Sequence, residues 1–193
     1  MRKRLPAEVV LASVLLVEIA ILGATTEHFL SLANLFEIAR LSTALGLLTL
    51  AMTPVVVTGG IDLSVGAMMG LAAVTFGVAW QDWHWPVPLA ACASLVAGAA
   101  GGALNAGLVT RLGVPPLIVT LGSLALFRGT AEGITEGAAS YSGFPATFHY
   151  LGQGYLAGLV PAQLPLLVAA AIGCHILLSR SAIGRSWYAI GFN

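Results

Sequence analysis

The residues able to carry chemistry in this chain are few and scattered. Glu18 is the one ionisable group well inside an apolar run, where a carboxyl is a candidate coupling group of a small secondary carrier or channel. The same carboxyl could instead be protonated or hydrogen-bonded to a neighbouring helix. The four histidines, Cys92 and Cys174 show no ligand spacing, and the only lysine is Lys3, so we expect no metal, no cofactor, no catalytic residue and no P-loop ATPase.

A second candidate lies where the apolar pattern breaks, from Gly59 to Ser64. Glycine ends helices in the left-handed conformation, and Asp or Ser caps the helix that follows, so the break predicts a helix, a tight turn and a second helix. At membrane depth the freed backbone groups must be buried in protein or line a watery cavity, and such breaks often mark a substrate route. The alternative is an ordinary turn with Asp62 as a cap.

The composition shows which elements must position these residues. Of 193 residues, 58% are hydrophobic and only 8% are charged, whereas a soluble domain carries about 25% charged residues. So few charges cannot cover a surface in water, and the chain is therefore predicted to be a membrane protein. Its net charge of zero excludes a broadly basic nucleic-acid binder.

Six apolar runs predict an all-α polytopic helix bundle that forms a single membrane domain. A span needs about 20 apolar residues, and the runs, of which the fifth is short, cover residues 9–26, 41–58, 63–80, 87–110, 114–127 and 160–179. Small residues recur at intervals of four along the fourth run and predict a buried packing face: Ala90, Ser94, Gly98, Gly102, Ala106 and Thr110. The pair Gly66 and Gly70 follows the same rule on the third run.

The distribution of charge predicts the direction of the spans. With the N-terminus inside, the outer side receives only Arg40 and Arg128, as the positive-inside rule requires. The other basic residues fall on the inner side: Arg2, Lys3, Arg4, Arg111, Arg180 and Arg185. Residues 129–159, rich in glycine and aromatic residues, predict an outer loop of short amphipathic pieces or a surface that docks a soluble partner. Asn34 is predicted to cap the second helix, with Glu37 and Arg40 at helical spacing.

Four segments carry a family resemblance. The stretch from Thr58 to Gly66, which reads Thr-Gly-Gly-Ile-Asp-Leu-Ser-Val-Gly, resembles the signature of ribose-type ABC permeases, the membrane subunits of binding-protein-dependent monosaccharide importers. Residues 101–107, 114–122 and 184–191 match in the same order, so the resemblance spans nearly the whole chain. Residues 105–107 and 141–145 look closest to the rhamnose and autoinducer-2 branch.

The resemblance implies a non-enzymatic permease of about ten spans in the bacterial inner membrane. Surrounded by membrane lipid, it would pair with a second copy or a paralogue, two cytoplasmic ABC ATPase subunits and a periplasmic sugar-binding protein. Six residues are implied to lie in the translocation route or its motifs: Gly59, Gly60, Asp62, Ser64, Asn105 and Thr120. Four are implied to couple to the ATPase from a cytoplasmic loop that starts at residues 180–193: Gly184, Arg185, Tyr188 and Gly191.

The implied activity is ATP-driven import of a monosaccharide such as rhamnose, ribose or an autoinducer-2-like sugar, by alternating access. Phe192 departs from the family pattern, which usually has a glycine there, and the chain is expected to be the N-terminal part of a longer permease, truncated inside the coupling loop. Two alternatives stay open at this point. One is the secondary carrier or channel that uses Glu18, and the other is an ABC permease for amino acids or nucleosides.

Overall fold

The computed structural model describes residues 6–191 and shows a helical bundle. Arg2, Lys3, Arg4 and Phe192, which entered the predictions above, lie outside the described residues. The helices and strands follow in chain order: α1 (Ala7–Thr25), α2 (Leu32–Val57), α3 (Val65–Gln81), α4 (Val87–Thr110), α5 (Pro116–Ile134), α6 (Ala146–Gln153), β1 (Tyr155–Leu156), β2 (Val160–Pro161), α7 (Leu164–Arg180) and α8 (Ala182–Gly191).

Each of the six predicted apolar runs contains a helix, although the sixth run begins in β2 and becomes helical at Leu164. The predicted all-α membrane bundle is confirmed. By length and composition α1, α2, α4 and α5 suffice to cross a membrane, and α7 with α8 makes a fifth span if the bent pair is counted as one. The angle between α7 and α8 is 73°. The remaining apolar helix, α3, has only 17 residues. By these criteria four or five spans are present within residues 6–191, against the six predicted.

The surface of the bundle is apolar, as a protein solvated by hydrocarbon requires. Large side chains such as Leu11, Leu16 and Leu95 are about two-thirds exposed or more, and α1 buries none of its apolar window. In water such an area would drive aggregation, whereas in lipid these side chains meet a medium as apolar as themselves. What holds the helices together must therefore be close packing and hydrogen bonds.

Close packing is tightest where α3, α4 and α5 meet. Gly101 of α4 is buried, and a Cβ there would overlap Met68 Cε of α3 and lie 3.1 Å from Phe127 Cζ of α5. The missing side chain thus lets three helices approach one another. A second group forms around α2, which packs against α7 and α8.

The small-residue stripe on α4 does not form one buried face within this chain. Its first members do pack: Ala90 is fully buried, and Ser94 Oγ donates to Ala72 O of α3 at 2.7 Å. Farther on, a Cβ at Gly98 or Gly102 would meet nothing within 4 Å. The later members are exposed: Gly102, Ala106 and Thr110. Four residues turn an α-helix by about 400°, so a strict interval of four drifts by about 40° per step and by about 200° over the whole stripe.

The buried face of α4 follows the helical period instead, through Ala90, Gly101 and Asn105. The predicted helix-packing role of Gly98, Gly102 and Ala106 stays a prediction. The start of α2 also differs from the prediction, since Ser31 rather than Asn34 is the N-cap and accepts from Asn34 N at 3.2 Å. The helix begins two residues earlier than Asn34, whose side chain donates to Phe29 O instead.

The segment after α5 returns along the end of the bundle that holds the start of α2. Residues 129–134 continue α5 rather than opening a loop. Tyr155 OH of β1 donates to Glu37 Oε2 at 2.5 Å, and Arg40 Nε donates to the same oxygen at 2.9 Å, so the predicted helical pair fastens the hairpin to α2. The hydrogen bond to Glu37 raises the pKa of Tyr155, which stays a neutral donor at physiological pH.

An aromatic cluster holds the middle of this segment on α3. Phe148 stacks on Phe76 with ring centres 4.9 Å apart, and Phe144 lies against both Phe76 and Trp80. Burial raises the pKa of the Tyr141 phenol, whose ring fills the space a side chain on Gly77 would occupy. Aromatic packing therefore covers the C-terminal part of α3.

Substituting Gly101 tests the packing of the central helices. Gly101→Val is expected to lower stability by about 1–3 kcal/mol, because it overpacks the contact with Met68 and Phe127. Gly102→Val is the matched control, since it has the same helix propensity change at an open position. Thermal unfolding in detergent measures both, and equal losses of Tm would contradict the packing described here.

Candidate functional site

The predicted helix, tight turn and helix are present between α2 and α3. After Val57 the chain turns at Gly59, whose φ of 77° lies in the left-handed region that side chains disfavour. Gly60 N donates to Val55 O at 2.8 Å, and a Cβ on Gly60 would lie 3.1 Å from that oxygen. Gly59 is therefore favoured by its backbone conformation, whereas Gly60 is favoured by the close approach of Val55.

Asp62 fixes the second half of the turn. Its Oδ1 accepts from Ser64 N at 2.7 Å and from Ser64 Oγ at 2.6 Å. Ser64 occupies the position before α3 but makes no side-chain bond to that helix. Asp62 thus orients the Ser64 hydroxyl. The hydroxyl oxygen remains free to accept a hydrogen bond from another residue.

That partner belongs to α4, and the bonding continues into α5. Asn105 Nδ2 donates to Ser64 Oγ at 3.0 Å, and Ser123 Oγ donates to Asn105 Oδ1. Ser64, Asn105 and Ser123 are all buried, with 2%, 8% and 4% exposure. A chain of four polar side chains, which we call the polar chain (Asp62, Ser64, Asn105 and Ser123), therefore ties the turn to two neighbouring helices.

A second, longer contact reinforces the polar chain. Thr120 Oγ1 donates to Ile61 O at 3.4 Å, and Thr120 is 3% exposed. Among the described residues, every buried side-chain nitrogen and oxygen has a hydrogen-bond partner. An unpaired polar group in this interior would cost several kcal/mol, so the complete pairing explains how polar groups persist in so apolar a bundle.

The buried end of the turn, at Ser64, is set in from the ends of the neighbouring helices, while Gly59, Ile61 and Leu63 are exposed. Asn105 precedes the end of α4 by five residues and Ser123 follows the start of α5 by seven, which places them about 7.5 Å and about 10.5 Å from those helix ends. Because Ser64 bonds to Asn105, α3 starts at the same depth. Because α3 begins at this depth, it has less of the bundle left to cross and is short. Helix breaks set in from the helix ends are also found in transporters.

The structure thus brings together four of the residues named from the sequence and adds one. Asp62, Ser64, Asn105 and Thr120 converge at the turn, while Ser123 was missed. Ser123 stands three residues after Thr120 on α5, so helical spacing was the available signal.

The residues expected to couple to an ATPase divide into two kinds. Gly184 is buried at the bend after α7, where its N donates to Ser181 Oγ at 2.9 Å and a Cβ would overlap Leu178 O. A Cβ on Gly191 would overlap Val57 O, so the end of α8 lies against the last residue of α2, directly before the glycine turn. Arg185 and Tyr188, three residues apart on α8, are exposed.

Glu18 takes no part in this arrangement. It is exposed on α1, and within residues 6–191 it makes no hydrogen bond or ion pair. In the same residues no group of His, Cys, Asp and Glu is placed to hold a metal ion.

A bundle of apolar helices with a hydrogen-bonded polar turn set in from its helix ends is typical of a membrane transport protein. The chain belongs to the family described as the permease component of branched-chain amino acid transport systems, whose family model matches residues 34–193.

Its curated relatives carry a narrower name. The chain is 34% identical over 194 residues to the autoinducer 2 import system permease protein LsrD of Salmonella typhimurium, covering 98% of this chain and 58% of that protein. It is 36% identical over 196 residues to the protein of the same name from Escherichia coli O9:H4, covering 99% and 59%. The chain spans less than two thirds of the length of these relatives, and no solved structure matches it.

These comparisons confirm the ABC permease family that the sequence motifs indicated, and the matched relatives carry the autoinducer 2 name. They also confirm a multi-pass protein of the inner membrane. They do not support the secondary carrier built on Glu18, because the family is one of permease components.

Removing the amide of Asn105 tests the polar chain. Asn105→Ala leaves Ser64 and Ser123 without their shared partner, and we expect a loss of about 1–2 kcal/mol in unfolding free energy. Thr110→Ala is the matched control on the same helix, because its Oγ1 bonds only to Ala106 O of its own backbone. If both variants lowered the Tm in detergent by the same amount, the polar chain would contribute nothing to stability.

Proposed function

We propose that this chain is the translocation subunit of an ATP-driven importer whose cargo is a monosaccharide-like molecule of the autoinducer-2 type. The observation that carries the proposal is the polar turn that interrupts the helices between α2 and α3, since interrupted segments of this kind mark the substrate route in transporters. The names of the relatives support the cargo class. A periplasmic binding protein delivers the cargo, and separate ATPase subunits supply the energy, so the chain itself needs no cofactor.

The contact between α8 and α2 supports a route for coupling. An ATPase subunit docked on residues 180–193 moves α8 about the bend at Ser181. Gly191 then presses on Val57, one residue before the C-cap of α2. The glycine turn takes up the displacement, and the polar chain carries it to α4 and α5. Such motion of one helix group relative to another is the basis of alternating access.

A second cargo class has one observation in its favour. The family description names branched-chain amino acid transport, whereas the relatives are named for autoinducer 2. Uptake by the assembled importer in proteoliposomes separates the two, with labelled autoinducer 2 and labelled leucine as cargoes. We expect ATP-dependent uptake of the first only. Uptake that continues without ATP, or that favours leucine, would contradict the proposed function.

The proposed orientation places the N-terminus, the end of α4 and α8 in the cytoplasm, and residues 135–159 outside. The tryptophan turn after α3 supports it, since Trp83 and Trp85 pack together, with ring centres 5.0 Å apart, where an aromatic belt is expected. Arg111, Arg180 and Arg185 fall at the opposite end.

Thiol labelling tests that orientation. Trp83 and Leu112 are 54% and 69% exposed and lie at opposite ends of α3 and α4, so both suit substitution by cysteine after Cys92 and Cys174 are replaced by serine. In intact spheroplasts a membrane-impermeant maleimide should label Trp83→Cys at once and Leu112→Cys only after permeabilisation. The reverse labelling pattern would show that the protein has the opposite orientation in the membrane.

Charge reversal on α8 tests coupling. Arg185 is exposed on the helix that meets α2, so Arg185→Glu should reduce cargo-stimulated ATPase activity several-fold while membrane insertion stays normal. Arg185→Lys keeps the charge and serves as the control, with activity near that of the parent. Unchanged stimulation in Arg185→Glu would remove α8 from the ATPase contact.

A further inference from the structure

A groove of about 420 Å³ runs between α3 and α5. Its α3 wall includes Gly66 and Gly70, and a Cβ on either glycine would meet nothing within 4 Å. These two glycines therefore do not bring helices of this chain together, as Gly101 does. They leave open space along α3.

The α5 wall of the groove carries an ion pair. Arg128 Nε donates to Glu132 Oε1 at 2.8 Å, and the two side chains remain 72% and 60% exposed. Both residues lie in the last two turns of α5, at the end proposed to be outside, where charged groups reach water. The pair is one helical turn apart on α5, and it gives this wall both hydrogen-bond donors and acceptors that are free for another partner.

The two ends of the groove connect features already described. Gly66 follows Ser64 by two residues, so one end begins beside the polar chain. Thr135, just past α5, lines the other end together with Glu132. A molecule in the groove would thus pass from the ion pair toward the buried turn.

We propose that this groove is the cargo-contact surface, and that Arg128 and Glu132 recognise a small, neutral, polyhydroxylated molecule at its outer end. The inference rests on the proposed function and adds a site to it. The volume lies within the range of about 300–1,000 Å³ that is usual for small-molecule sites. The ion pair neutralises itself, so it favours hydroxyl groups over a net charge: the guanidinium donates to adjacent hydroxyls and the carboxylate accepts from them.

The remaining lining favours passage over tight holding. Apart from the ion pair, the described residues that line the groove carry no charge, and most are small or apolar: Gly66, Ala67, Gly70, Val74, Leu124 and Ala131. A zwitterionic amino acid would need two separated ionic partners, and this wall has only a pair that is already closed. A transported molecule must also leave, which weak apolar walls permit.

Cysteine protection tests the groove directly. Ala131→Cys, in the background with Cys92 and Cys174 replaced by serine, places a thiol in the groove. In membrane vesicles without ATP, a water-soluble thiol reagent should label it, and saturating autoinducer 2 should slow labelling at least several-fold while leucine does not. Leu126→Cys is the matched control on the same helix, 53% exposed and outside the groove, and should stay unlabelled.

The ion pair is tested in the same assay. Arg128→Gln and Glu132→Gln should each raise the autoinducer 2 concentration needed for half-protection roughly tenfold, through loss of a charge-assisted hydrogen bond. If one variant fails to insert into the membrane, the half-protection concentration of the other variant tests the recognition role. Protection at the parental concentration in either inserted variant would overturn the recognition role.

Other occupants of the groove give different results. An unlabelled Ala131→Cys would show that lipid or another part of the protein closes the groove to water, and a disulfide between two copies at Ala131→Cys would show a contact with a second chain; either overturns the proposal. Because labelling needs no ATP, it is independent of the importer assay. ATP-dependent uptake with no protection would reject the groove alone, and protection with uptake that needs no ATP would reject the proposed function alone.

Discussion

Hydrocarbon forms no hydrogen bonds, so polar groups within a bilayer must find their partners inside the protein. This constraint governs the turn between α2 and α3 more strongly than any other part of the structure. A chain that breaks its helix at this depth exposes backbone and hydroxyl groups that nothing outside the protein can satisfy. Asp62, Ser64, Asn105 and Ser123 answer this requirement among themselves. The position of α3, and with it the groove beside it, follows from those bonds.

Glycine serves three separate purposes in this bundle, and only the surroundings tell them apart. Gly59 supplies a left-handed turn, Gly101 lets three helices approach, and Gly66 leaves a space unfilled. In the sequence Gly59 and Gly101 each begin a Gly-Gly pair, and Gly66 stands alone between Val65 and Ala67, so the pattern does not separate the role of Gly59 from that of Gly101. Their different roles agree with a protein that must hold its helices firmly in one place and let a molecule pass in another.

The helices and the turn could be predicted because their signals are local. Apolar runs show where helices lie, and the segment from Gly59 to Ser64 carries its own turn chemistry. The stripe on α4 does not lie on one face of the helix, because an interval of four is close to the helical period without matching it. The bond between Tyr155 and Glu37 joins residues 118 positions apart, and no local pattern announces such a partner. Ser123 lay within reach of a spacing argument but carried no motif of its own.

The late start of α3 also bears on how the protein is made. With 17 residues, α3 is at the short limit for a membrane span, although it is as apolar as its neighbours. Its closest neighbour, α4, follows after a turn of only five residues and is long and apolar enough to insert alone. The insertion machinery should therefore release α3 and α4 as a hairpin, with the later helix securing the earlier one during biogenesis.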